Sequence, residues 1–318
     1  KQYRTYCRKK GTLDAVEEVL FDINKMAEDL PAYIFAGYIV SPDNSKVAYF
    51  FNETGSYAEF VLKIKDIASS NDIGYTVIGA TSAAWANDNN TLFYGSIDKT
   101  LRPYRIHRRA LDESESTLIY EENDTKFRTY VTESKTRDYI FIGSASSTTS
   151  EERFISADNP YGEFKEFLPR VQDVEYSIYP HKDKFFVRYK DKDNLNGMIY
   201  ETPLTGYEDR SAWKVFVPYN NDVRIESVDI LSDYVLLDLR NNGLNRITVK
   251  PVSGGEEKVI DFPEPVYTAS LNGNPEYEVT NFRYSYTSLN RPTTLYEYDI
   301  TTGESVVLKE QEVPSGFN

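Results

Sequence analysis

A run of apolar and aromatic residues returns every 44–49 residues, and this repeat restricts the fold more than any other feature of the chain. Several runs follow a short turn sequence rich in Asp and Asn, such as SPDNS or ANDNN, which favours a tight turn before a strand. The runs are KVAYFF (46–51), TLFYG (91–95), DYIFIG (138–143), KFFVRY (184–189), DYVLLD (233–238) and FRYSY (282–286).

Each repeat contains three further strand patterns. One precedes the apolar run, as in AGYIVSP (36–42), and two follow it, as in FVLKIKD (60–66) and YTVIG (75–79). We label the four strands a, b, c and d in chain order, so that the apolar run is strand b. Four antiparallel strands repeated at this period are typical of a β-propeller blade. A blade is covered by neighbours on both faces, which explains why strand b is apolar at nearly every position. A β-sandwich would have about seven to nine strands with polar and apolar residues alternating, and the repeat count is too high for it.

The pattern predicts an all-β fold, a seven-bladed β-propeller of four-stranded antiparallel blades in one domain. The opening residues match only strands c and d, at 3–9 and 17–22, so we expect the first blade to be truncated to its two outer strands. We expect the chain either to be less stable than its parent or to cover the gap by self-association. The stretch 24–33 is expected to form at most one helical turn, ended by Pro31. The predicted bounds are 1–30 for partial blade 1, 33–79 for blade 2, 80–124 for blade 3, 125–170 for blade 4, 171–221 for blade 5, 222–266 for blade 6 and 267–312 for blade 7.

Charge and composition exclude several classes of partner. The net charge of −14 would repel a phosphate backbone and attract basic peptides, so we expect basic peptides and no nucleic acid as partners. The alternative is that the acidity serves only solubility. No apolar run is long enough to span a membrane, so no membrane partner is expected. Cys7 is the only cysteine, which fits a reducing compartment; we expect the cytoplasm, with the periplasm as the alternative.

The sequence offers little for catalysis, and we expect no catalytic residues, no metal and no cofactor. DKDNLNG (191–197) departs from a calcium loop because Leu195 stands at a ligand position and the glycine comes one place late. No nucleophile-elbow motif is present, and the pairs Gly95-Ser96 and Gly143-Ser144 are interpreted as loop residues.

Two histidines are present in the chain. His107 lies in a predicted strand c, where a structural role is expected. His181 lies in the predicted a–b turn PHKDK and is expected to be solvated.

An ordered set of short motifs along the whole chain resembles the propeller of oligopeptidase B, a branch of the prolyl oligopeptidase family of serine peptidases. The motifs include SPDN (41–44), WAND (85–88), LIYEEND (118–124), SASSTTSEERF (144–154) and TGESVVLKEQEVP (302–314). The resemblance implies a seven-bladed propeller that covers the active site of an α/β-hydrolase domain in the same polypeptide. It also implies that the parent enzyme cleaves short peptides after Arg or Lys, whereas this chain alone is non-catalytic.

Antiparallel strands place the start of a, the end of b, the start of c and the end of d at one edge of each blade, where the linkers to the hydrolase domain would attach. Charges in or beside the b–c loops at this edge are therefore candidates for contact with substrate or with the hydrolase domain. The competing interpretation of each is an ordinary solvated loop charge. The candidates are Glu53, Asp98, Arg102, Glu151, Arg240 and Arg291.

Two other functions are compatible with a propeller. A free-standing propeller that binds a peptide or protein is the main alternative, although such a protein would normally close its ring. A propeller glycosidase is less favoured because the repeats lack the turn motifs of sialidases.

Overall fold

The chain folds into antiparallel β-sheets. A computed structural model describes residues 2–12, 14–313 and 316, and it divides the chain into two compact units. The first unit is formed by residues 1–147 and 151–166, and the second by residues 148–150 and 167–318. No helix among the described residues is long and apolar enough to cross a membrane. The all-β prediction is confirmed.

The first unit begins with a small two-stranded sheet of β1 (Thr5–Lys9) and β2 (Glu17–Asp22), followed by the single-turn helix α1 (Ile23–Met26). The Asp22 carboxylate caps α1 by accepting a hydrogen bond from the Asn24 N–H. The predicted helical turn is therefore present, but it ends at Met26, so Pro31 is not what ends it.

A seven-stranded sheet in the first unit covers two of the predicted repeats. Its strands are β3 (Ile34–Val40), β4 (Lys46–Asn52), β5 (Phe60–Asp66), β6 (Asp72–Trp85), β7 (Thr91–Ile97), β8 (Pro103–Ala110) and β9 (Thr117–Glu121). The long strand β6 serves as the outer strand of one repeat and the inner strand of the next. Its first part pairs with β5, as in Val77 with Leu62, and its last part pairs with β7, as in Ala84 with Phe93. The register shifts between Ala80 and Ala83, where the two parts meet.

Four further sheets have four strands each, paired in chain order. The sheet in the first unit consists of β10 (Arg128–Glu133), β11 (Tyr139–Ala145), β12 (Ser150–Ser156) and β13 (Lys165–Glu166). The first sheet of the second unit consists of β14 (Glu175–His181), β15 (Lys184–Lys190), β16 (Met198–Pro203) and β17 (Lys214–Val217). Its second sheet consists of β18 (Val223–Ile230), β19 (Tyr234–Asn241), β20 (Leu244–Pro251) and β21 (Lys258–Val259). Its third sheet consists of β22 (Tyr267–Leu271), β23 (Asn281–Ser288), β24 (Arg291–Asp299) and β25 (Ser305–Glu310). A 3-10 turn at Arg210–Ala212 precedes β17.

The predicted b strands form the cores of these sheets. Each is buried at successive positions, as in Phe185, Phe186 and Val187 of β15, which are all 0% exposed. Because consecutive side chains of a strand point to opposite faces, such strands must be covered on both sides. In the second unit, Leu236 and Val249 pack with Phe282 and Tyr284 of the following sheet in one apolar cluster.

Two of the outer strands are much shorter than the sequence predicts. The patterns at 164–170 and 256–262 contain only the two-residue strands β13 and β21. Phe167 leaves the strand direction because its ring, 1% exposed, stacks on Tyr207 at a centroid distance of 4.6 Å. The bounds predicted for the seven repeats stay a prediction.

The interpretation of the Gly-Ser pairs as loop residues is wrong at two positions. Gly95 lies inside β7 and Gly143 inside β11. A Cβ on Gly143 would lie 2.1 Å from Cζ of Tyr130, so the absent side chain lets the tyrosine of β10 lie across β11.

Candidate functional site

The six predicted site residues lie in or beside b–c connections of four sheets, and three of them belong to the seven-stranded sheet. The connections are residues 53–59, 98–102, 146–149, 191–197, 242–243 and 289–290. Three candidates, Glu53, Asp98 and Arg102, are in these connections, whereas Glu151, Arg240 and Arg291 lie in the strands beside them. The structure joins Asp98 to Arg102 in an ion pair, and each of the other four has separate surroundings.

Asp98 and Arg102 form a clamp that fixes the β7–β8 loop. Nε of Arg102 lies 3.2 Å from Oδ2 of Asp98, and the two side chains are 12% and 22% exposed. Asp98 Oδ1 accepts hydrogen bonds from N and Oγ1 of Thr100, at 2.7 and 2.6 Å. These bonds, the one from the Thr100 hydroxyl foremost, lower the pKa of Asp98 to about 2.

The remaining donors of Arg102 reach the segment that leads from β9 to β10. Its Nη atoms donate to the backbone oxygens of Glu122, Asp124 and Phe127 at 3.0–3.2 Å. Arg102 is therefore occupied in holding backbone of its own chain, and it presents little of its guanidinium to solvent.

A buried carboxylate that the sequence analysis did not select lies beside this clamp. Glu122 is 4% exposed and accepts hydrogen bonds from Ser144 Oγ at 2.5 Å, Tyr120 Oη at 3.0 Å and Asp124 N at 2.9 Å. Burial, and next the charge of Glu122, raise the pKa of Tyr120. The sequence gives little signal for this role, because Glu122 directly follows β9 and stands beside a second glutamate, Glu121.

Glu151 is also buried, at 5% exposure, and pairs with Arg153 two residues along β12. Nη2 of Arg153 lies 2.9 Å from Oε2 of Glu166 on β13, and its guanidinium lies over the ring of Tyr120. Glu151 thus belongs to an internal charge network, which does not favour direct contact with a ligand.

Glu53 is the candidate carboxylate that the structure leaves exposed. Its loop is shaped by Asn52, whose side chain is 3% exposed and whose Oδ1 accepts from the N–H groups of Thr54 and Ser56 at 2.8 and 3.1 Å. Tyr57 in the same loop is 87% exposed. The loop is therefore ordered from within, and it presents a carboxylate and a phenol ring to solvent.

Arg240 and Arg291 are half-exposed cations of the second unit. Nε of Arg240 lies 2.9 Å from Oε1 of Glu226. Arg291 pairs with Glu264, which also accepts a hydrogen bond from Tyr286. The bond from Tyr286 and then the Arg291 contact lower the pKa of Glu264, while burial and that same bond raise the pKa of Tyr286 to about 12. Each cation keeps free donor capacity for a peptide oxygen.

The nearest approach to a catalytic arrangement is the pair Ser96 and His107. Oγ of Ser96 lies 2.9 Å from Nε2 of His107, whose ring stacks on Tyr94. Burial, and then Arg105, lower the pKa of His107. Among the described residues no carboxylate hydrogen-bonds this histidine, so the orienting group of a Ser–His–Asp triad is missing from the pair.

The prediction of a solvated His181 is wrong. His181 is the last residue of β14, is 4% exposed, and has Nε2 2.9 Å from the backbone oxygen of Ser232. Its ring contacts Phe186 edge to face. The turn begins two residues later than the pattern predicts, at Lys182, which has a positive φ of 30°.

The described residues contain no group of three or more His, Cys, Asp or Glu side chains arranged to hold a metal ion. The carboxylate of Asp191, in the sequence that superficially resembles a calcium loop, instead accepts bonds from N of Asp193 and N of Asn194, both at 2.9 Å. What the b–c connections and the strands beside them offer to a ligand is exposed charge and hydrogen-bonding groups.

Comparison with known proteins places these features in a family. The model of the family described as "Prolyl oligopeptidase, N-terminal beta-propeller domain" matches residues 1–311. Dipeptidyl aminopeptidase BI of Pseudoxanthomonas mexicana is 32% identical over 304 residues, which are 94% of this chain and 42% of that protein. Protease 2 of Moraxella lacunata is 28% identical, over 100% of this chain and 46% of its own length.

Solved structures give the same result. Oligopeptidase B from Leishmania major superimposes with a TM-score of 0.90 at 25% identity, covering 99% of this chain and 46% of that one. Oligopeptidase B from Trypanosoma brucei superimposes with a TM-score of 0.89 at the same identity. The chain thus spans somewhat less than half the length of the relatives it matches.

Proposed function

Because the chain belongs to the prolyl oligopeptidase family and matches the N-terminal β-propeller domain of that family, we propose that it is the domain of a serine peptidase that controls which substrates reach the active site. The observation that carries this proposal is the family match over residues 1–311, combined with relatives that are named as peptidases and are more than twice as long. This agreement favours a peptidase domain over a free-standing binding module.

The proposal includes a ring of seven blades. The four-stranded sheets supply four blades, and the seven-stranded sheet supplies two that share β6. The sheet of β1 and β2 would be the outer half of the remaining blade. The presence of only two strands in that sheet supports an inner pair supplied from elsewhere in the polypeptide.

The proposed partner is an α/β-hydrolase domain of the same polypeptide, facing the edge that carries the b–c connections. The exposure of Glu53, Arg240 and Arg291 supports a role for them in contacting that domain or a peptide. Asp98, Arg102 and Glu151 would act indirectly, because their contacts hold the loops and strands of the edge in place.

For substrates we propose short peptides cleaved after Arg or Lys. The net charge of −14 supports attraction of basic peptides, and the likeness to oligopeptidase B structures agrees with an action on short chains. The identity to dipeptidyl aminopeptidase BI favours a second candidate activity, the release of dipeptides from an amino terminus. The single cysteine supports a reducing compartment, and we propose the cytoplasm.

The test uses the polypeptide that joins this chain to its hydrolase domain. It would be incubated with matched peptides that carry Arg, Lys, Pro or Leu at one internal position, and with a folded protein rich in Arg and Lys. We expect mass spectrometry to show cleavage after Arg and Lys in the peptides and an intact folded protein.

Each part of the proposal can fail separately. Cleavage of the folded protein at a comparable rate would contradict gating, whereas cleavage after Pro alone would contradict the basic preference. Stepwise loss of two residues from the amino terminus would favour the dipeptidyl activity. An assembled polypeptide that cleaves none of these substrates would contradict the peptidase assignment.

A further inference from the structure

Two aromatic rings of the second unit lie against the guanidinium of Arg210, and a third ring packs against both of them. Cζ of Arg210 lies 4.3 Å from the ring centroid of Tyr189 and 5.0 Å from that of Trp213. The ring of Tyr200 lies 5.4 Å from that of Trp213 and 6.1 Å from that of Tyr189. We call Tyr189, Tyr200 and Trp213 the aromatic cage.

The guanidinium lies against the faces of two rings, and it also acts on the hydroxyl of Tyr200. Nη1 of Arg210 donates to Oη of Tyr189 at 3.0 Å. Within the part of the chain that the structure describes, no carboxylate lies within ion-pair distance of this guanidinium. The quadrupoles of electron-rich rings attract cations of this kind, and three rings together form a recognised geometry for binding them.

The cage is built without help from Arg210. Tyr189 is 5% exposed on β15, and Tyr200 projects from the same face of the neighbouring strand β16. Nε1 of Trp213 donates to the backbone oxygen of Tyr207 at 2.8 Å. Tyr207 is in turn 5% exposed and stacked on Phe167. Removal of the Arg210 side chain would therefore leave three aromatic walls already in position.

Arg210 itself is on a segment that could release its side chain. It begins the 3-10 turn at Arg210–Ala212, is exposed, and follows Asp209, whose carboxylate fixes the turn through the N–H of Ser211 at 2.9 Å. Rotation of the Arg210 side chain away from the cage would leave these backbone contacts unchanged.

We propose that the aromatic cage is a binding site for the guanidinium group of an arginine-containing peptide, and that Arg210 occupies it as a built-in competitor. A planar guanidinium fits this site, since the guanidinium of Arg210 already lies there against Tyr189 and Trp213. Arg210 is tethered to the site, so an external guanidinium must compete with a high local concentration of the same group. The site requires no residue of a hydrolase domain and stands independently of the proposed peptidase function.

Intrinsic fluorescence can report occupancy, because the other tryptophan, Trp85, is 0% exposed and lies in the first unit. The probe is L-argininamide, with citrulline amide as the uncharged probe of similar shape. We expect Arg210→Ala to give a saturable change of Trp213 emission with argininamide, at a concentration at least ten times lower than the wild type requires. Citrulline amide should give no saturable change.

Matched variants make the result specific. Arg224→Ala removes one exposed arginine from the same unit, changes the net charge equally, and should titrate like the wild type. Far-UV circular dichroism checks folding, and Arg210→Gln replaces Arg210→Ala if the alanine variant unfolds. Identical titrations of the Arg210 and Arg224 variants would overturn the proposal, as would an unchanged response when Trp213→Phe is added to the Arg210 variant.

Discussion

Arg102 binds three backbone oxygens of one segment with a single guanidinium, and most of that side chain is buried. A surface ion pair contributes little to stability, but hydrogen bonds from a largely buried cation to backbone oxygens contribute more because they are charge-assisted and shielded from water. The position of Arg102 after a strand was predictable from the sequence. Its partners, 20–25 residues further along the chain, were not, because nothing in local sequence specifies where a later loop returns.

We expect Arg102→Ala to lower the free energy of unfolding by about 2–3 kcal/mol, since several charge-assisted hydrogen bonds to the backbone are lost together. Arg240→Ala is the matched control, because that side chain is 47% exposed and its ion pair should contribute less than about 1 kcal/mol. Urea denaturation followed by circular dichroism measures both. Equal losses in the two variants would contradict the clamp.

His107 gives the stability a pH dependence of predictable sign. Its pKa is lowered in the folded chain by burial and by Arg105, so the unfolded chain binds the proton more tightly. Stability should therefore fall as the pH drops below about 6.5, the ordinary value for histidine, towards the lower folded value. His107→Gln keeps a hydrogen-bonding group beside Ser96 and should make the melting temperature less dependent on pH in that range. Parallel pH curves for the two proteins would contradict this account.

Asp98 affects the stability of the fold over a different pH range. Its folded pKa of about 2 lies below the ordinary value, so its contribution is complete above about pH 4 and is lost as the pH falls towards 2. The loss of stability near neutral pH can therefore be assigned to His107 without interference from this carboxylate.

At the scale of elements, strand b was predictable in every repeat, whereas two of the d strands are much shorter than their sequence patterns predict. Residues such as Phe185, Phe186 and Val187 are apolar in succession because both faces of the strand are covered, and that requirement is visible in the sequence. An outer strand such as β21 is exposed and two residues long, so neither burial nor length leaves a pattern strong enough to set its bounds.

The difference in burial between central and outer strands also predicts a difference in the rate of backbone amide hydrogen exchange. Amides of β7, β15 and β19 should exchange at least about tenfold more slowly than those of β13 and β21, because exchange in outer strands requires only local opening. Exchange measured by mass spectrometry on peptides that cover these strands tests it. Equal protection of central and outer strands would be inconsistent with the burial pattern.

Gly143 shows how a glycine inside a strand serves packing between strands. Gly143→Ala places a methyl group against the ring of Tyr130 and should cost about 1–3 kcal/mol of stability, as over-packing does. Adding Tyr130→Ala removes the clash, so the double variant should lose less than the sum of the two single losses. Additive losses in denaturation experiments would show that the tyrosine is not the obstacle.

At the scale of the whole molecule, sequence alone identified the fold class, since an antiparallel four-stranded pattern at a fixed period has few solutions. The candidate site was less accessible. The carboxylate of Glu122 becomes notable only once Ser144 and Tyr120, from two other positions in the chain, are brought against it. The cage around Arg210 likewise depends on strand pairing that sets Tyr189 and Tyr200 on one face.

The net charge of −14 acts over longer distances than any of these contacts and yields a separate prediction. An arginine-rich peptide should bind the chain with an affinity that falls several-fold as salt rises from about 0.05 to 0.5 M, because screening shortens the range of the field from more than 10 Å to a few ångströms. A glutamine-substituted peptide of equal length should bind weakly at both concentrations. Isothermal calorimetry measures the affinities, and Arg210→Ala should preserve the salt dependence, since the field arises from the whole charge distribution and not from one cage. Equal affinities at low and high salt, or no heat at either, would show that acidity does not recruit basic peptides to this domain.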